Sequence, residues 1–194
     1  MNSVTYLDGI KKQFLYYKSL GQNTIDQTPD KQLFWQYDDN SNSIAIIIKH
    51  LWGNMKSRWT NFLTTDGEKE WRSRDEEFEN DIQTKEELIE IWEEGWQCLF
   101  EALDSINELN FEQPIYIRNI EHSITEAINR QLAHYAYHIG QIVFIGKMCC
   151  GENWQSLSIP KGASQSYNKK RFSTPKHKAH YTDNLINKTR QFPK

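Results

Sequence analysis

Two histidines one helical turn apart, His134 and His138 in QLAHYAYHIGQI, have the spacing of a metal-binding pair. Residues four apart on a helix lie about 40° from each other on one face. Two neutral imidazoles placed that way inside a helical protein can share a divalent ion. On the same wheel Ala127, Gln131, Gln141 and Ile145 fall within about 60° of His134. A stripe with small and apolar residues at its ends points to an interior face. The spacing alone more often marks a pair of hydrogen-bonded core or surface histidines, so a third ligand is required.

His50, in IIIKHLWGNMKS, is the candidate. Its wheel neighbours Ile46, Ile47, Asn54, Ser57 and Asn61 pass from apolar to polar, as a pocket mouth would, and also as a helix boundary would. Taken with the pair, it makes a three-histidine site, His50, His134 and His138, the better single hypothesis. Three imidazoles leave the fourth position of a tetrahedral ion open for a water, a thiolate or a carbonyl. Gln141, Asn54 and Tyr135 or Tyr137 are candidates to orient the rings, and each also fits a purely structural role. Arg130 lies near the histidine stripe, and Arg72, Arg74, Asp75 and Glu76 sit in a charged loop. Either could clamp an anionic substrate or thiol, although such a loop is more often a solvated linker with local salt bridges. Glu126 could act as a base, but a helix-capping role already accounts for it, and no residue is singled out as catalytic. Cys149 and Cys150 read as small buried hydrophobes, since only Lys147 is basic nearby.

The elements that must position these side chains follow from periodicity. A first helix runs from about Ser3 to Leu20, with Tyr6, Leu7, Ile10, Phe14 and Tyr17 at helical spacing, and ends at Gly21. A second starts near Ser43 and reaches about Thr64, with an apolar early turn that should be buried. A charged connection, DGEKEWRSRDEEFENDIQ, leads to a third helix opened by the capping box Thr84-x-x-Glu87. Residues 107–121, containing PIYIRNI, read as a short extended stretch or irregular hairpin. A fourth helix opens with Ser123-x-x-Glu126 and runs to about Cys150. The expected fold class is all-α: a four-helix bundle, with the long helix 2–helix 3 crossover loop permitting an up-down-down-up order.

Composition supports this frame. Nine Gly and five Pro in 194 residues are too few for a many-turned β-sandwich. Seven Trp in a chain of mean hydropathy -0.78 supply large apolar anchors within a polar average. No apolar run approaches the roughly 20 residues of a membrane span. The N-terminal sequence lacks signal-peptide features and three cysteines make no disulfide framework, so a cytoplasmic location is expected. The net charge of -3 divides unevenly: residues 1–160 carry -11 and residues 161–194 carry +8. An acidic body disfavours nucleic acid as a partner. The expected organisation is a metal-binding domain over residues 1–160 and a basic, flexible tail over 161–194.

At His50, His134 and His138 the sequence resembles the DinB/YfiT-like superfamily of metalloenzymes, and HYAYHIGQI is similar to that group's HxxxHxGQ-type signature. The segments DGEKEWRSRDEEF and SIPKGASQSYN resemble a branch catalogued as a domain of unknown function, and the resemblance spans about residues 3–168. It implies a four-helix bundle, a divalent metal such as zinc or nickel on those three histidines, and in some members a low-molecular-weight thiol as co-substrate. In some members of the group the activity is thiol S-transfer or isomerisation. With the open metal position, the expected function is a thiol S-transferase or a hydrolase that activates water on the metal, acting on a small molecule. The competing reading is a non-catalytic metal-binding or dimerisation module, acting as a homodimer.

Overall fold

The computed structural model describes residues 3–183 and 185. The described residues are mostly helical, with five α-helices and one small two-stranded sheet among them.

Helix α1 (Ser3–Gln27) buries Leu7, Ile10 and Phe14 along one face, then continues to bury Thr24 and Ile25. The expected stop at Gly21 is corrected: the glycine does not take a left-handed cap conformation, and the helix passes through it for six further residues. The physical reason for the glycine lies across the interface. A Cβ there would stand 2.4 Å from the Trp92 ring and 3.1 Å from Ile139 Cδ1, and Trp92 is itself buried. Gly21 is a close-approach residue.

Replacing it with alanine should gain about 1 kcal/mol of helix propensity but lose more to overpacking, for a net destabilisation of about 1–2 kcal/mol. At Gly140, mid-helix and exposed with nothing within 4 Å of an added Cβ, the same substitution should stabilise by about 0.5–1 kcal/mol. Chemical denaturation of the two variants checks the opposite signs.

Helix α2 (Ile44–Trp59) is capped by Ser43, whose side chain accepts from the Ile46 amide. It ends before the expected Thr64 because Thr60 is extended and Asn61 adopts a left-handed φ of 49°. Helix α3 (Lys85–Asp104) opens with the capping box of Thr84 and Glu87. Helix α4 (Ile124–Cys150) opens with that of Ser123 and Glu126.

The all-α expectation also needs amendment. Residues Pro114–Ile117 (β1) and Ile120–Ser123 (β2) pair antiparallel, with Ile117 opposite Ile120. Arg118 and Asn119 form the turn, both at positive φ, which suits the right-handed twist of a tight hairpin. Asp66 holds this turn by accepting from both of their amides at 2.8 Å. The hairpin thereby brings Arg118 close to the chain that follows α2.

α2 packs on α3 and on α4, and α1 packs on α4 and on α3. Phe14, Trp92, Trp96 and Tyr135 fill the space between them as one aromatic cluster. The chain beyond α4 forms helix α5 (Ser164–Phe172), which buries no residue. It then returns to α1, where Asp183 pairs with Lys12 at 2.7 Å and Thr182 is buried. Among the described residues no helix is long and apolar enough to cross a membrane.

Candidate metal centre

α2 and α4 bring His50, His134 and His138 to one point, with one ligand atom from each lying within 4.8 Å of the others. The Nε2 atoms of His50 and His134 are 3.2 Å apart. Nitrogen ligands at about 2.0–2.1 Å from a tetrahedral ion stand about 3.3 Å from each other, so this pair already has the separation an ion requires. His50 is buried and the other two are half-buried.

Hydrogen bonds fix which nitrogen is free on two of the rings. His50 Nδ1 lies 2.8 Å from the Glu77 carboxylate, which can only accept, so Nδ1 carries the proton and Nε2 keeps its lone pair. His138 Nδ1 donates in the same way to Gln141 Oε1 at 2.9 Å. In both rings the acceptor behind Nδ1 leaves Nε2 available, the arrangement that orients metal-binding imidazoles.

The protonation states agree with that role. Burial first, then the neighbouring imidazoles, lowers the His134 pKa to about 3. Burial and His50 lower that of His138 to about 4. Both rings are therefore neutral near pH 7, and binding an ion there displaces no proton from either.

Glu77 belongs to the support of the site and was not legible as such in the sequence. It is buried in the 3-10 turn Asp75–Phe78. Burial works to raise its pKa, but hydrogen bonds from His50 and Arg72 and the Arg72 charge outweigh that and hold the carboxyl below its usual range. Arg72 grips it in a fork, Nε to Oε1 at 2.7 Å and Nη2 to Oε2 at 3.0 Å. Phe78, the next residue, stacks on the His50 ring with centroids 4.9 Å apart. The charged connection thus lies against α2 and is tied to the first histidine.

The other singled-out residues fall as follows. Asn54 is buried and accepts from the Tyr135 hydroxyl at 3.1 Å, and that hydroxyl accepts from Trp59 Nε1. Arg74 lies over the Phe78 ring at 5.0 Å. Arg130 is exposed and lies 3.2 Å from His122 Nε2. Of the two readings of its loop, Arg72 follows the locally salt-bridged one, with its side chain enclosed and paired to Glu77 and Glu68. Glu126 is occupied by its capping box. Cys150 is a buried thiol directed at the Gln27 carbonyl, 3.2 Å away.

Asn54, Arg74, Arg130 and Tyr137 line one cavity of about 480 Å³ together with the three histidines. A larger cavity, about 600 Å³, lies between α2 and α3 beside Lys56, Glu94 and Cys98. Its chemistry is poorer: Lys56 is paired with Glu94, burial pushes the Cys98 thiol up, and among the described residues no metal-ligand cluster faces it.

A mostly helical protein with three imidazoles from two helices converging on one point is, as a class, a candidate metal-binding helical protein. The chain belongs to the DUF1572 family of proteins of unknown function, whose model matches residues 2–163. No match was found among curated proteins, and none among solved structures.

Proposed function

We propose that this protein is a divalent-metal-dependent enzyme that uses His50, His134 and His138 as ligands and acts on a small molecule. The observation that carries the reading is the preset ring orientation: Glu77 and Gln141 accept from the two Nδ1 protons, leaving Nε2 bare on His50 and His138 beside His134. Zinc or nickel suits neutral imidazole ligands. Such an ion supplies Lewis acidity at its open fourth position, lowering the pKa of a water or thiol held there. Supporting an enzyme over a closed structural site are the three-ligand set and the cavity beside it.

The reaction proposed is transfer to a low-molecular-weight thiol, or hydrolysis by an activated water. Affiliation with the DinB/YfiT-like superfamily, and a four-helix bundle in up-down-down-up order over residues 1–160, go with this reading. Gln141 serves in it as an orienting residue, and Asn54 lines the cavity beside the ligands.

Cobalt substitution tests it. Cobalt(II) loaded at one equivalent should give a spectrum that changes with a titration near pH 7, or that gains a sulfur charge-transfer band on adding a small thiol. A four-coordinate spectrum indifferent to pH, thiols and small anions would instead mean a closed, non-catalytic metal module.

A further inference from the structure

Residues 1–160 contain five arginines, Arg58, Arg72, Arg74, Arg118 and Arg130, and nine lysines. All five arginines line the histidine cavity, no lysine does, and neither does any acidic residue. That sorting occurs within a segment whose formal charge is -11. Three separate stretches of chain supply the five: α2 with the connection after it, the β1–β2 turn, and α4.

Part of this charge is neutralised locally. Glu68 pairs with Arg58 at 3.0 Å, Arg118 at 3.1 Å and Arg72 at 3.4 Å. Glu77 pairs with Arg72 at 2.7 Å, and the exposed Asp75 lies 3.8 Å from Arg74. Five guanidiniums against these three carboxylates leave two positive charges at the cavity. Arg130 has no acidic partner among the described residues, and its contact is the imidazole of His122. A divalent ion on neutral imidazoles would add two more charges.

Arginine differs from lysine in presenting a planar fork that matches carboxylate and phosphate oxygens in pairs. A cavity of about 480 Å³ falls in the range that encloses a small organic ligand. We infer that the cavity binds a small oxyanion carrying at least two negative charges, a phosphate monoester or a dicarboxylate, with Arg130 and Arg74 as the accessible anchors. Arg58, Arg72 and Arg118, tied to Glu68 and Glu77, set the positive field behind them. The inference rests on the proposed metal site for its place in a reaction, but the anion site is defined by the arginines alone.

The test is calorimetric titration of the full-length protein, chelator-treated and zinc-loaded, at low ionic strength. Inorganic phosphate and succinate are the two probes, with glycerol as the neutral control. Either dianion should bind the metal-free protein, and whichever binds tighter identifies the ligand class. Arg74→Gln/Arg130→Gln should weaken that binding at least tenfold while retaining one equivalent of zinc. Lys147→Gln, on the same helix but outside the cavity, should leave it unchanged. Absence of dianion binding to the metal-free wild type, or equal affinity in the double variant, overturns the inference while the metal proposal stands. Dianion binding by a protein that takes up no zinc would do the reverse, keeping the anion site and removing the metal.

Discussion

His50→Ala, His134→Ala and His138→Ala should each fail to retain the ion that, on the proposed reading, the wild type binds at one equivalent. A nitrogen-ligand site in which each ligand supplies a comparable share of the binding free energy loses about 10²–10³-fold in affinity when one of three is removed. Elemental analysis after dialysis reads this directly. Thermal unfolding gives a second measure, because an ion at 1,000 times its Kd adds about 4 kcal/mol to the folded state. Added zinc should therefore raise the Tm of the wild type and leave the three variants nearly unmoved.

The variants are not equivalent structurally. His50→Ala also strands the Glu77 carboxylate that its Nδ1 satisfies. His138→Ala frees only Gln141, a half-buried amide, and is the cleaner test. His122→Ala is the control, since that ring contacts Ile120 and Arg130 outside the cluster. Retention of stoichiometric metal in all three cluster variants would remove the site assignment.

How much of this was legible beforehand depends on how local each signal is. The pair His134 and His138 is fixed relative to each other by helical geometry, so sequence spacing sufficed. Both capping boxes formed as read, because four consecutive residues decide them. His50 required that α2 meet α4, which its own wheel suggested without establishing. Gly21 misled because a glycine after an apolar periodic run fits a helix stop and a tight helix crossing equally well, and only Trp92 distinguishes them. Glu77 was invisible for a different reason. The segment DEEFEND offers five carboxylates, and only the path of the connection against α2 decides which one reaches His50. The convergence of every arginine in residues 1–160 on one cavity is likewise a property of four elements meeting. Arg130 and the Arg72–Arg74 loop could be read as separate anion clamps, but nothing in the sequence joined them to each other or to Arg58 and Arg118.

Glu77→Gln should weaken metal affinity by about 10–100-fold, although Glu77 contacts no ion. The carboxylate accepts from His50 Nδ1 and so keeps the proton off Nε2. An amide in its place can present an N–H to Nδ1, which favours the opposite tautomer and blocks the ligating lone pair. The same change leaves Arg72, whose side chain is 3% exposed, with Glu68 at 3.4 Å as its one remaining charged partner among the described residues. Removing one member of a buried ion pair costs about 3 kcal/mol, so stability should fall along with affinity. Gly53→Ala separates the two effects. Gly53 lies on α2 one turn beyond His50, and a Cβ there would meet Glu77 Oε1 and press the carboxylate away without removing its charge. If Glu77 acts by holding the His50 tautomer, Gly53→Ala should lower zinc affinity in competition with a chromophoric chelator, even though Arg72 keeps an acidic partner. The orienting role fails if Gly53→Ala and Glu77→Gln both destabilise the fold yet bind zinc as tightly as the wild type. In that case the Arg72–Glu77 pair serves to fasten the connection to α2, and the orientation of His50 comes from the Phe78 ring stacked on it.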